Sequence, residues 1–337
     1  MAQTQISDLV PSEKVLGQLV SALISAKNAF INSGAAVGVA DFNPLASGGA
    51  RKQSLPYVKP LDASEFNISN DDNEDTGNTS KVQADEFTAV RLDLNNGYTY
   101  ADLVQMVTRA STNGLVQNGL AAYWNAVNQK VGVASIKGAL AATSASALTV
   151  GSTSTAFSFG AVIDGAATAG ENMDMFKTLI VHSTTYANIL KAYKPVLDPQ
   201  TGLLRVGGYN LIIDNSFGDT ATILVRDGAL ALAFASPDRS IEIARNAGGG
   251  NGGGAETLWT RLSQVVHPQG FNFVGDVPTG SNTSGAPAIL DALSDGDNWT
   301  MKLAANQVGI RMVQHSNAAF VDSKHVIVDN IGDTPVA

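Results

Sequence analysis

The 337-residue chain contains no cysteine, which excludes disulfides, thiolate metal sites and cysteine nucleophiles. Charge is scarce too. Asp, Glu, Lys and Arg make up 15% of the residues, against roughly 25% in ordinary soluble domains, so much of the surface is expected to be covered by partners. The positive sign is the scarcer: 21 Lys and Arg against 30 Asp and Glu leave a net charge of -9. Tight sequence-independent binding of nucleic acid needs clustered Lys and Arg to displace counterions, and this composition argues against it. Long apolar runs are also missing, each being broken by Gly, Ser or Asn well short of the about 18 residues of a membrane span. The opening MAQTQISDLVPSEK has neither the basic start nor the apolar core of an export signal. The expectation is cytoplasmic synthesis, with no cleaved signal and no membrane partner.

A chain of this length exceeds what one compact core usually holds, which implies several lobes or one core with long excursions. In PSEKVLGQLVSALISAKNAF, from Pro11 to Phe30, Val15, Leu16, Leu19, Val20, Leu23 and Ile24 fall at helical spacing, predicting an amphipathic helix. Residues 31–60 mix Gly, Pro and Ser with isolated apolar residues, the pattern of an extended arm. The acidic SNDDNEDTGNTSK then leads into VQADEFTAVRLDLNNG, where Val82, Phe87, Val90 and Leu92 fit short strands. Together they predict a two-stranded excursion with a hydrated acidic tip, too weak to stand alone.

Thr99 is placed to cap a helix with Asp102 three residues on, and Leu103, Met106, Val107, Ala110, Leu120, Trp124 and Val127 recur at helical intervals. Unbroken from about Tyr100 to Lys137, that helix would be roughly 55 Å long. Gly114 and Gly119 predict a bend or interruption within it. LAATSASALTVGSTSTA, residues 140–156, reads as a small-residue linker. The chain then alternates: FKTLIV strand, STTYANILKAY helix, then strands at YNLIID, ATILVRD, ALALAFA and SIEIARNA, an α+β pattern. After the glycine run from Gly248, ETLWTRLSQVVHPQGFNFV reads as a long strand, APAILDALSDGDNWTMK as a short helix and QVGIRMVQ as a strand.

His182 and Ser183 stand side by side, but neighbouring residues point in different directions and no G-x-S-x-G elbow surrounds the serine. Ser183 or Thr184 is read as the N-cap of the following helix. Tyr186, Ile189, Leu190 and Tyr193 are read as its packing face. Asp71, Asp72, Asn73, Glu74 and Asp75 resemble half a calcium loop, yet Thr76 and Val82 occupy the positions that need glycine and glutamate. The run GGGNGGGAE, Gly248 to Glu256, lacks the Lys-Ser/Thr ending of a phosphate loop and is read as a connector. His267, His315 and His325 show no metal-ligand spacing, and His267 is read as a structural residue at a strand end. No catalytic, cofactor-binding or metal-ligating residue is assigned, no cofactor is expected, and the chain is not read as an enzyme.

The ordered segments ISDLVPSEKVLGQLVSALISAKNAFINSG, FNPLASGGARKQSLPYVKPL with SNDDNED, TYADLVQM, LIVHSTTYANILKAY, GGYNLIIDNS, RDGALALAFA, RLSQVVHPQGFNF and DNWTMKLAANQVGIRM resemble the major capsid proteins of tailed bacteriophages. The resemblance implies an α+β HK97-like capsid fold. It divides the chain into an N-terminal arm (1–50), an extended E-loop (51–98), a peripheral domain with its spine helix (99–159), an axial domain (160–250), a return strand of the peripheral domain (251–275) and a C-terminal extension (276–337). It also implies a virion protein that assembles with itself through pentamers and hexamers into an icosahedral head. That head would enclose double-stranded DNA without sequence-specific binding. A portal is a further implied partner, with scaffolding or decoration proteins as possible additions. No local signature marks residues for Lys-to-Asn crosslinking; Lys59 and Lys81 simply flank the loop. Two alternatives stand beside this reading: an encapsulin-like nanocompartment shell, and a hydrolase using Ser183 and His182.

Overall fold

The computed structural model describes residues 29–39, 49–59, 61, 66–69, 71, 74, 76–102, 119–193, 195–199, 202–237, 239–249, 251–276 and 286–316. In chain order the strands are β1 (Ala36–Gly38), β2 (Lys52–Val58), β3 (Ala84–Ala101), β4 (Thr149–Ala156), β5 (Phe176–Val181), β6 (Val196–Leu197), β7 (Leu204–Val206), β8 (Tyr209–Ile213), β9 (Ala221–Arg226), β10 (Leu230–Ala235), β11 (Ile241–Asn246), β12 (Ala255–Pro268), β13 (Phe271–Phe273), β14 (Trp299–Met301) and β15 (Ile310–Ser316). Among the described residues four helices of at least two turns accompany them: α1 (Ala121–Ala141), α2 (Phe159–Ala167), α3 (Ser183–Ala192) and α4 (Ala286–Ser294).

Two sheets carry the architecture. In the seven-stranded sheet, ordered β4-β15-β9-β5-β8-β7-β6, the apolar runs are buried on both faces, and the two-residue period of a strand sends alternate side chains to opposite sides. Leu179, Val181, Leu211, Leu224 and Val313 pack against Phe159 and Val162 of α2 and Ile189 of α3. Ile180, Ile212, Ile223, Val225 and Ile310 join the larger core around α1. In the six-stranded sheet, ordered β1-β10-β12-β3-β2, β12 is the hub: it pairs antiparallel with β3, β10 and β11. Trp124 of α1 packs on Leu258 and Leu262, and farther along the helix Val131 and Ile136 share a core with Leu230 and Val266.

Helix α1 is buried on almost every side in its second half, and α4 with the small antiparallel pair β13-β14 closes over it. Gly138 makes this possible: a Cβ there would collide with the Leu293 carbonyl and the Trp299 indole, which are themselves hydrogen-bonded, Nε1 to O, at 2.8 Å. Replacing Gly138 by Ala gains about 1 kcal/mol of helix propensity. The overpacking should nonetheless destabilise the subunit by about 2 kcal/mol net, read as a lower urea midpoint. A midpoint equal to the parent's would show that α4 and Trp299 move aside freely.

Several sequence expectations are corrected. Thr99 and Tyr100 do not start a helix; they lie in β3, because the register Arg91↔Val265 to Ala101↔Ala255 with β12 holds the backbone extended, and Thr99 Oγ1 meets Thr257 Oγ1 at 2.9 Å. The short strands expected before them form one strand of 18 residues. The described part of the long helix opens with a π turn at residues 119–120 and runs past Lys137 to Ala141, while its expected course from 103 to 118 lies outside the described residues. So does most of the helix expected over Pro11–Phe30, of which a helical turn, Ala29–Asn32, is described. The linker expected at 140–156 contains β4, paired in parallel with β15, and α2 was not anticipated. The boundaries at 160, 250 and 276 fall across sheets: β10 and β11 pair with β12, whereas β15, from the supposed C-terminal extension, lies between β4 and β9.

Candidate functional site

The β2-β3 hairpin leaves the body of the protein as one excursion. Its inner half is anchored. Asn272 Oδ1 accepts from the Thr88 N–H at 3.0 Å, and Lys52 Nζ donates to the Gly275 carbonyl at 2.6 Å while lying 5.7 Å above the Phe273 ring. Tyr57 and Phe87 stack across the strands with centroids 3.9 Å apart, a pairing that helps fix their register. Asp85 faces Lys59 at 3.3 Å and Lys302 at 4.0 Å. The Glu86 backbone N–H, then the Lys59 ammonium, hold its carboxyl below the usual range.

Beyond Val58 and Ala84 the ribbon continues through Lys59 N–H to Gln83 O at 2.8 Å. It is braced by Asn67, whose Nδ2 donates to Asn78 O at 2.7 Å and whose Oδ1 accepts from Asn78 N at 3.1 Å. Val58, Leu61, Phe66, Ile68 and Val82 project here with exposures of 63 to 86%. Single exposed apolar residues are ordinary, but five along one excursion mark a surface that another body covers. Asp71 and Glu74 of the acidic run are exposed; Asp72, Asn73 and Asp75 lie outside the described residues.

At the far end of β3 a second anchor escaped the sequence reading. Arg245 bridges Asp102 at 2.7 Å and Glu256 at 2.9 Å, fastening the glycine-rich turn between β11 and β12 to the end of β3. Asn251, Gly252 and Gly254 take the positive φ values of 57°, 88° and 83° that this turn requires.

The residues weighed for chemistry are placed apart. His182 itself is the helix cap: its Nδ1 accepts from the Thr184 N–H at 3.2 Å, while the Ser183 N–H donates to Asn215 Oδ1 at 2.9 Å. The expected serine or threonine cap is thereby corrected, because both residues already sit inside the first turn. The imidazole lone pair that would activate Ser183 is engaged by backbone. On the packing face, Ile189 and Tyr193 are buried as expected and Tyr186 packs beside them, but Leu190 points out and Thr185 takes the inner position. Among the described residues no three His, Asp or Glu side chains gather at metal-binding distance, and no helix is long and apolar enough to cross a membrane.

His267 and His315 are buried in separate places. His315 Nε2 meets Thr222 Oγ1 at 3.0 Å, and burial lowers its pKa. His267 donates from Nε2 to the Phe271 carbonyl at 2.8 Å, and burial pushes its imidazole down to about 4. In the unfolded chain a histidine titrates near about 6.5. Between those values the unfolded chain binds the extra proton, so stability is fully present above about pH 6.5 and is lost as pH falls toward 4, by about 3 kcal/mol. His267→Gln, whose amide can serve the same carbonyl, should flatten that part of the curve when urea midpoints at about pH 7 and pH 4.5 are compared. An unchanged pH slope in the variant would assign acid sensitivity elsewhere.

Comparison with known proteins returns no matching family model and no matching curated protein. Solved structures do match. The cyanophage Pam1 capsid asymmetric unit aligns with a TM-score of 0.53 at 10% identity, over 87% of this chain and 93% of that one. A structure from Microbacterium phage Oxtober96 aligns with a TM-score of 0.52 at 12% identity, over 94% of this chain and 96% of that one. At such identities the likeness speaks of backbone arrangement, and it spans nearly the whole of each chain. The protein therefore has the mixed α+β, HK97-like fold of phage capsid structures.

Proposed function

We propose that this chain is the major capsid protein of a tailed bacteriophage, a structural subunit and not an enzyme. Copies would assemble through pentamers and hexamers into an icosahedral head that encloses double-stranded DNA. The observation that carries the reading is the excursion: its root is bound to the core by Asn272 and Lys52, and its outer part presents Phe66 and Ile68 to no part of its own subunit's buried core. Such a strap serves a neighbour. The net charge of -9 suits a container that must hold DNA without adhering to it.

On this reading the β2-β3 excursion is the E-loop, the β12-centred sheet with α1 is the peripheral domain, and the seven-stranded sheet with α2 and α3 is the axial domain. Binding is distributed over many weak contacts, so no single one needs to be strong. A portal is a further partner, and scaffolding or decoration proteins would act on the same shell. Assembly would occur in the host cytoplasm and the product would reside in the virion.

Sedimentation and negative-stain microscopy of the purified chain test this directly: shells or capsomers are expected, and a strictly monomeric species at assembly concentrations would overturn it. The nanocompartment reading differs in cargo, so DNA inside shells recovered from infected cells separates the two. The hydrolase reading loses its base to the helix cap at His182.

A further inference from the structure

We propose that Arg226, backed by Arg311, is the receiving site for a carboxylate of a second copy of this chain. The inference rests on the shell reading above and adds a specific contact to it. The antiparallel register of β9 with β15 sets Ile310 beside Val225, and the Arg226 N–H donates to the Gly309 carbonyl at 2.9 Å. Arg226 and Gly309 are therefore side by side, and Arg311, two residues on, lies on the same face. Gly309 leaves room for the arginine stem, since a Cβ there would collide with Arg226 Cγ, Cδ and Nε.

Arg311 is completely buried. Four of its five N–H donors go to neutral acceptors: Thr168 Oγ1 at 2.7 Å, the Val308 and Ile310 carbonyls at 2.8 Å and the Ala305 carbonyl at 2.6 Å. These hydrogen bonds hold the guanidinium without cancelling its charge. Arg226 is half-buried, its Nε is shielded from water without a hydrogen-bond partner, and among the described residues neither guanidinium has a carboxylate partner. The adjacent Asp227 is held by Lys177 at 3.3 Å. Burial lowers the pKa of both arginines, and the charge of Arg226 lowers that of Arg311 further.

An arginine keeps its charge at neutral pH, and buried charges are normally paired. A half-desolvated guanidinium with no carboxylate partner among the described residues thus marks a place that a further group completes. A chain with nine more acids than bases, 30 against 21, brings spare carboxylates with every copy, and the guanidinium fork matches a carboxylate through two parallel hydrogen bonds.

The test uses opposite signs. Arg226→Met should leave the unassembled subunit as stable as the parent or more so, because an uncompensated cation is removed. It should also raise the concentration needed for assembly by about thirtyfold or more. In parallel, shells built from mixed light and isotopically heavy Arg226→Lys chains are treated with a carbodiimide, which joins the new amine to a touching carboxylate with loss of water. Light-heavy crosslinked peptides at position 226 are the expected product. Unchanged assembly of Arg226→Met, crosslinks confined to single copies, or no crosslink at all would overturn the proposal. So would inorganic phosphate stabilising the parent subunit but not Arg226→Met without any effect of the substitution on assembly, which would make this a small-anion site. A parent chain that never assembles removes the shell reading and this inference together; a parent that assembles beside an indifferent Arg226→Met removes the inference alone.

Discussion

Excision of residues 64–80 is expected to give a subunit that folds normally and closes no shells. The segment carries Phe66 and Ile68, exposed by 78 and 86%, and its bracing hydrogen bonds between Asn67 and Asn78 are internal to it. The anchors at Lys52, Thr88 and Asp85 lie outside the cut. Subunit stability should therefore change by no more than about 0.5 kcal/mol, the usual range for surface changes. Covering a Phe or an Ile contributes about 1.5–3 kcal/mol each, an upper bound once the ordering of partners is counted. Losing both from every copy then raises the concentration needed for assembly by about a hundredfold or more. Circular dichroism melts and sedimentation of the same preparation check the two halves. A deletion that unfolds the subunit would mean the loop belongs to the core, and one that assembles like the parent would mean that it straps nothing.

The second large effect belongs to Arg311. Replacing it by Met removes every donor facing Thr168 Oγ1 and the carbonyls of Ala305, Val308 and Ile310. Exchanging a whole buried ion pair for apolar groups can be neutral, but here three of the four acceptors are backbone carbonyls and cannot be exchanged. Each buried acceptor left without a partner costs about 1–3 kcal/mol. Allowing for relaxation, Arg311→Met should lower subunit stability by about 4 kcal/mol, a large share of the 5–15 kcal/mol typical of a domain. Arg311→Lys, with one point of donation in place of a planar fork, should lose about half as much. Urea midpoints of the unassembled subunit decide; a loss under about 1 kcal/mol for Met would show that water replaces the guanidinium at no penalty.

The sequence was most legible where packing is two-sided. FKTLIV, ATILVR and ALALAFA are mostly apolar because both faces of β5, β9 and β10 are largely covered, Lys177 being the exposed exception, and composition marks them. Strand β4 was hidden because TVGSTSTA lies at a sheet edge with its middle exposed; its pairing with β15, far along the chain, has no local trace. The start of the long helix was misplaced for a similar reason: Thr99 and Asp102 fit a capping pattern locally, and only the partner strand β12 overrides it. The excursion was readable from its weakness as an isolated hairpin, whereas its anchors depend on residues nearly two hundred positions away. Arg226 and Arg311 had a faint signal, a lone cation inside each of the apolar runs ATILVR and IRMV. His182 could not have been preferred over Ser183 as the cap, since imidazole and hydroxyl both accept a hydrogen bond and only the backbone trace separates them.

Strand β3 is shared end to end: residues 84–90 pair with β2, and residues 91–101 pair with β12. The two registers follow one another without a turn or bulge, and Val90 and Arg91, not a glycine, stand at their junction. The excursion is therefore a lever whose short arm is embedded in the sheet. A tug at the tip cannot be absorbed by swivelling at its root; it arrives as torque on eleven paired positions of β12 and, through Trp124 packed on Leu258 and Leu262, on helix α1. A shell strapped by such levers would share mechanical load between neighbours through continuous backbone, so internal pressure would be resisted by sheet hydrogen bonds in shear as well as by the surfaces where subunits touch.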